Sequence, residues 1–314
     1  MQYVYLAGAC AFFSVQFIFS KLYQRRTDGT LHAAMWSNLL GALAMLVIFF
    51  PANLIGSGRL LAVSPSAWMW GSIYSICGVV CGACTILALR HGSVAAVTVY
   101  TLLGGMVLPF FYGVIALGEQ PSLWRIIGTV ILVISALPPL FMTEKTTGEK
   151  RSVRSRITFA VCVALIFLTN GGVSVITTAS QRDPAMAAVS STDFLLVTAI
   201  LRAVLAAVII VALSLKQRRS PIPTDARSGK PATLAVMGLL GGIMLIYSAF
   251  NGIGNVFNLA CAKTMDATLQ YPVISAACIT LSALWALLFF REKPSKGDLI
   301  SIALSLVGIA MYIF

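Results

Sequence analysis

Gly118-Glu119-Gln120-Pro121-Ser122 and Arg291-Glu292-Lys293-Pro294-Ser295 are two copies of one turn, offset by 292 − 119 = 173 residues. The same offset lays Ile246-Tyr247-Ser248 on Ile73-Tyr74-Ser75, and Lys263 on Arg90. In both copies the glutamate-proline turn leads into a closing apolar helix, with proline where a helix start tolerates its missing N–H. Duplicated membrane-spanning units are the plan of many secondary transporters, whose substrate sites lie where the copies meet. Transport is therefore the first expectation, before any single residue is weighed.

Composition narrows the alternatives. Of 314 residues, 59% are hydrophobic and only 10% charged, against roughly 25% charged in an average soluble domain. A hydrocarbon core of about 30 Å takes roughly 20 apolar residues per helix. Ten such stretches follow one another, at 3–22, 31–50, 67–89, 93–117, 122–142, 157–179, 193–215, 232–261, 267–290 and 297–314. The longest polar stretches, 143–156 and 216–231, are too short for a soluble domain. The expected fold is an all-α membrane protein of ten transmembrane helices. Its two five-helix repeats would occupy 1–142 and 157–314, joined by a cytoplasmic linker at 143–156.

The net charge of +12 follows the topology. Seventeen of the 22 basic residues follow the odd-numbered spans: Lys21, Arg25, Arg26, Arg90, Lys145, Lys150, Arg151, Arg154, Arg156, Lys216, Arg218, Arg219, Arg227, Lys230, Arg291, Lys293 and Lys296. The opposite loops hold Arg59, Arg125, Arg182 and Lys263, and Arg202 falls inside a span. Basic loops stay on the cytoplasmic side, so the odd connections are expected inside and both termini outside, with the inner (plasma) membrane as location. This distribution argues against a nucleic-acid surface. Residues 1–20 carry no charge and the basic cluster follows the apolar run, so the first span reads as a retained anchor, not a cleaved leader. Five spans per half is an odd number, so the second repeat is expected to run inverted.

Cys77, Cys81 and Cys84 share a helical face, yet the two histidines stand at span ends and no paired C-x-x-C set exists. Packing is the expected role of the cysteines, and no metal or other cofactor is expected. Gly238, Gly241 and Gly242 are read as a packing face, with a dimer seam left open.

Ten spans in two halves, each closing with E-x-P-S and a helix such as Ile300–Gly308, resemble the EamA-type branch of the drug/metabolite transporter superfamily. Leu87-Ala88-Leu89-Arg90 and Leu259-Ala260-Cys261-Ala262-Lys263 resemble that family's junction between the third and fourth helices of each half. The resemblance covers essentially the whole chain and implies a transporter of amino acids, other metabolites or drugs, not an enzyme. Four-helix multidrug relatives carry a glutamate in mid-helix 1. Here Ala9–Phe17 has no acid, and the acidic residues fall at span ends or in loops, which weakens the cation-exporter reading.

Tyr247, Asn251, Asn255 and Asn258 follow i, i+4, i+8 and i+11 spacing on the eighth span, so they share one stripe. An unpartnered amide in hydrocarbon costs several kcal/mol, so the stripe is expected to face protein or a wet cavity. Interhelical hydrogen bonding is the structural alternative. The 173 offset places Tyr74, Gly78, Gly82 and Thr85 opposite these four. One wall then offers hydrogen bonds and the other offers room, which suits a small polar or amphipathic molecule.

Arg202 stands near the bilayer midplane, where it is either an anchor for a substrate carboxylate or phosphate or a structural arginine satisfied by carbonyls or amides. Gln16, Asn38 and Asn170 are polar positions within spans. Tyr100 and Tyr271 are read as cavity gates or interface anchors. Pro109 and Pro272 each remove a helical hydrogen bond. Glu119 and Glu292 are expected to organise their own turns.

The sequence therefore predicts a secondary transporter working by alternating access, with export of a small metabolite as the first reading. An importer or multidrug exporter of the same fold comes second, and a lipid flippase is the reading from another class. The expected substrate contacts are Tyr247, Asn251, Asn255, Asn258, Tyr74, Arg202, Gln16, Asn170, Tyr271 and Tyr100. The expected partners are a small-molecule substrate and the lipid bilayer, with proton coupling and a monomeric or homodimeric state left open.

Overall fold

The structure is a computed structural model that describes residues 2–58, 61, 63–91, 94–135, 137–138, 153–217, 222–290 and 296–312. The second glutamate-proline turn, with Arg291, Glu292, Lys293 and Pro294, lies outside the described residues. So do Arg59, Arg218, Arg219 and the linker through residue 152, with Lys145, Lys150 and Arg151. The side chains of Arg90, His91, Arg154 and Arg156 are outside them too.

Among the described residues the chain is all-helical. Its helices are α1 (Gln2–Arg26), α2 (Leu31–Ser57), α3 (Pro65–His91), α4 (Val94–Ala116), α5 (Leu123–Ser135), α6 (Val153–Arg182), α7 (Ser191–Gln217), α8 (Leu234–Ala262), α9 (Ala267–Phe290) and α10 (Lys296–Ala310). Of these, α1–α4 and α6–α8 are long and apolar enough to cross a membrane, and α5, α9 and α10 contain shorter apolar helices.

Several helices outrun the apolar windows. The span expected to close at 50 continues through Pro51 to Ser57, and the one expected at 157–179 runs from Val153 to Arg182. Hydropathy marks the hydrocarbon, whereas the backbone ladder continues until a cap stops it. Thr30 caps α2 by accepting the Ala33 amide, and Gly58, at φ 68°, closes it with its N–H on the Leu54 carbonyl. Thr233 caps α8 through Val236. The Ser190 hydroxyl takes the Asp193 amide to open α7 (3.0 Å).

Hydrogen bonds show which helix ends share a side. The Ala226 amide donates to the Arg26 carbonyl (3.1 Å), tying the α7–α8 connection to the end of α1. On the opposite side Asn53 of α2 meets Asp193 of α7 (3.0 Å), and Trp70 of α3 meets Asp183 (2.8 Å).

The most extensive helix contacts join the first five helices to the last five. Helix α1 packs on α8 and α9, α6 on α3 and α4, α2 on α7 and α8, α7 on α3, α4 on α9, and α5 on α10. Shifting every helix label by five maps this set of contacts onto itself.

Glycine permits the closest crossings. A Cβ at Gly104 of α4 would overlap the Phe167 carbonyl oxygen of α6, and one at Gly171 would stand 2.6 Å from the Gly104 oxygen. Gly128 and Gly308 similarly bring α5 against α10. Within the chain Gly238, Gly241 and Gly242 pack against no described residue, so the packing expected of them is not made between its own helices. A Cβ at any of them meets nothing within 4 Å, because this stretch of α8 faces outward beside the exposed Leu234 and Leu239. The cysteines sit in apolar clusters: Cys84 and Cys162 with Ile166, and Cys10, Cys261 and Cys278 with Leu102. All seven are free.

Backbone cannot retreat as a side chain can, so Gly104→Ala is expected to destabilise the fold by about 1–3 kcal/mol. Gly238→Ala, facing open space, should change it by less than about 0.5 kcal/mol. Thermal unfolding of the purified protein in detergent compares the two directly.

Candidate functional site

A cavity of about 270 Å³ lies between the two sets of five helices. Gln16 of α1, Tyr74 of α3, Asn170 of α6, Arg202 of α7, Tyr247, Asn251, Asn255 and Asn258 of α8, and Tyr271 of α9 all line it. These are nine of the ten side chains singled out from sequence. Tyr100 is the exception. It packs against the apolar cluster of Cys84, Val97 and Cys162, because its position on α4 faces the α3–α6 seam.

The α8 stripe forms a hydrogen-bonded chain across three helices. The Tyr74 hydroxyl donates to Asn255 Oδ1 (3.2 Å), and Asn255 Nδ2 donates to the carbonyl (2.9 Å) and Oδ1 (3.1 Å) of Asn251. Asn251 Nδ2 donates to Gln16 Oε1. Deeper along α8, Gln270 Nε2 donates to Asn258 Oδ1 (2.7 Å) and to its carbonyl (2.8 Å). Tyr271 donates to the Ser174 carbonyl (2.9 Å) and accepts from Thr178 (3.0 Å). Asn170 donates to the Thr101 carbonyl (2.7 Å). Interhelical bonding and cavity lining thus coexist in the same residues. Asn38 also lines the cavity while donating to Ala34 of its own helix (3.0 Å). Phe13, Phe17, Met45 and Met244 supply an apolar side, so the walls present an amphipathic surface.

The cavity reaches Lys21 and Leu89, near the ends of α1 and α3 that precede the basic connections. At its other end Tyr271, Asn258 and Gln270 are buried, and beyond them lies a polar seal. The carboxylate of Glu119 accepts the amides of Ala267 and Thr268 (both 2.9 Å) at the first turn of α9. It also pairs with Arg182 (3.3 Å), with only 7% of the Glu119 side chain exposed. Arg182 in turn donates to the carbonyls of Met265 (2.9 Å) and Ala262 (3.5 Å) at the end of α8. Negative charge at a helix start and positive charge at a helix end both complement the helix dipoles. Arg125–Asp266 (3.1 Å), Trp70–Asp183 and Asn53–Asp193 complete the seal. The Trp70 indole and the Ala185 amide hold the Asp183 carboxyl below the usual carboxylate range.

Sequence reasoning missed this seal and gave Glu119 only its own turn. Gly118, at φ 66°, does form that turn, but the carboxylate reaches across to α9, into space left by Gly113. The signal was present, since Arg125, Arg182, Glu119 and Asp266 mix both signs on the side otherwise poor in basic residues.

Comparison with known proteins follows the same division of the chain. The model of the EamA-like transporter family matches residues 1–138. No curated protein matches. A solved structure described only as "Crystal structure of protein" is similar over 98% of this chain and 95% of its own, with a TM-score of 0.64 and 16% identity. At that identity the likeness is one of fold, and it extends across both sets of five helices. Over residues 1–138 the chain is similar to the EamA-like transporter family, a family of membrane transporters of small solutes that are not enzymes.

Proposed function

We propose that the chain is a secondary transporter that exports a small polar or amphipathic metabolite by alternating access. The observation that carries the reading is the central cavity, where nine side chains from six helices of both halves converge. In this reading the halves, 1–142 and 157–314 with a cytoplasmic linker at 143–156, are inverted repeats that rock about the cavity. All ten helices cross the inner membrane, with both termini outside. The self-consistent exchange of helix contacts between the two sets supports this arrangement, as does the positive-inside bias.

The described conformation fits the inward-facing member of the cycle. Its cavity extends toward the basic connections, and the Glu119–Arg182 seal closes the other end. Release outside then requires the seal to part. Pro109 in α4 and Pro272 in α9 each take one bond out of the helical ladder near it, giving those helices a place to bend. A cavity lined from both halves, not a groove on one side, favours a solute over a lipid as cargo.

Flux into proteoliposomes across a metabolite panel, with and without a pH gradient, tests the reading and identifies any proton coupling. Asn251→Ala and Asn255→Ala are expected to lower flux at least about tenfold, by roughly 1.4 kcal/mol, at normal membrane abundance. Wild-type flux in both would remove the α8 stripe from the site. Glu119→Gln removes one charge of a largely buried pair and is expected to shift the population outward. Labelling of a cysteine placed at Asn258 by an impermeant thiol reagent added outside should accelerate in E119Q. Unchanged labelling would assign Glu119 to stability alone.

A further inference from the structure

Arg202 lies near the midpoint of α7, 202 − 191 = 11 residues and about 16 Å from its first residue. Its guanidinium rests on the bare backbone of Gly78, midway along α3, where a Cβ would overlap it. A permanently charged fork at this depth costs about 3 kcal/mol even on insertion scales. The described residues supply it no counter-charge. The described ion pairs are Arg125–Asp266 and Arg182–Glu119, both at the seal. No described oxygen accepts a hydrogen bond from Arg202, and no Asp or Glu stands among the described residues lining the cavity. The carbonyl-satisfied arginine of the sequence reading is therefore not what the structure contains.

Two phenols lie within electrostatic reach of this charge, Tyr74 and Tyr247. Both line the cavity, and the Tyr247 hydroxyl makes no hydrogen bond to a described residue. A fixed fork of N–H donors lining the same cavity as such a hydroxyl is a donor set that a planar carboxylate accepts from.

Building on the transport reading above, we infer that the missing counter-charge is the substrate, a small amine-free organic monocarboxylate whose carboxylate pairs with Arg202. Its polar remainder is held by the Tyr74–Asn255–Asn251 chain. One guanidinium neutralises one carboxylate. A phosphate monoester carries about −1.5 to −2 and would bring an unpaired negative charge into the membrane interior. The other cation lining the cavity, Lys21, is five residues from the end of α1, whereas Arg202 is fifteen from the corresponding end of α7. That difference of ten residues puts Lys21 roughly 15 Å nearer the surface. An ammonium group would find no acid among the described residues lining the cavity, which sets amino acids apart from the proposed class.

The test uses the full chain in proteoliposomes. Aliphatic, hydroxy and aromatic monocarboxylates are each paired with their own neutral amide, with matched phosphate esters, amino acids and organic cations alongside. At least one carboxylate should be taken up saturably in preference to its amide. Arg202→Gln should weaken that carboxylate's binding by roughly 10- to 100-fold, and Arg202→Lys should restore part of the loss. Gly78→Ala displaces the guanidinium without removing it and should also weaken carboxylate binding. It carries the comparison if R202Q fails to insert. If amides, amino acids, cations or phosphate esters move in preference to every carboxylate, the monocarboxylate assignment falls while transport stands. Equal carboxylate binding in wild type, R202Q and G78A also overturns it. If no member of any class moves, the transport reading itself fails.

Discussion

Within a bilayer no water completes the hydrogen bonds of a side chain, so each polar atom must find its partner in the protein or in a wetted cavity. This constraint orders the whole molecule. Its outward surface is apolar, with Val47, Val208 and Leu215 mostly exposed. The largest groups of polar side chains lie in the central cavity and in the seal at one end of it. Within the cavity the amides of α8 join those of α1 and the phenol of α3 in one continuous chain. Arg202 stands beside that chain without a carboxylate of its own.

The seal shows how helix ends are used in place of dedicated binding residues. The start of α9 offers two free amides, and the end of α8 offers free carbonyls. Glu119 satisfies the first and Arg182 the second, while pairing with each other. A glutamate from the first set of helices therefore completes a helix of the second set. In the proposed cycle closure rests on these paired charges, and water can solvate both once the helices part.

Much of the fold was legible in the sequence because hydropathy and charge report directly on the bilayer. Among the described residues the ten apolar runs fall on helices, seven of them long and apolar enough to span. The ends differ where caps such as Thr30 and Gly58 decide and hydropathy does not. The α8 stripe was legible because amides at helical spacing are costly anywhere but a polar interior. Tyr100 was misread because an aromatic near a helix start carries no information about which neighbour it faces. Packing of Gly238, Gly241 and Gly242 within the chain was expected and is not made, for a similar reason. Small residues permit a close approach, as at Gly104, but do not require one. The role of Glu119 was hidden because its partners, Ala267, Thr268 and Arg182, are more than 60 residues away and two of them act through backbone amides.

The interleaving of the two sets of helices has a consequence for biogenesis. Helix α1 finds its main partners in α8 and α9, and α3 and α4 find theirs in α6. In the proposed ten-span topology the first five helices enter the bilayer before most of their packing partners have been synthesised. In that interval Arg202 does not yet exist, and Glu119 has neither Arg182 nor the α9 amides to satisfy it. The leading helices must wait as a loose, lipid-solvated group, and the final fold closes around them as the second set arrives. Assembly of such a chain is a late and concerted event. An insertion factor that shields unpaired polar groups has its greatest effect during that wait.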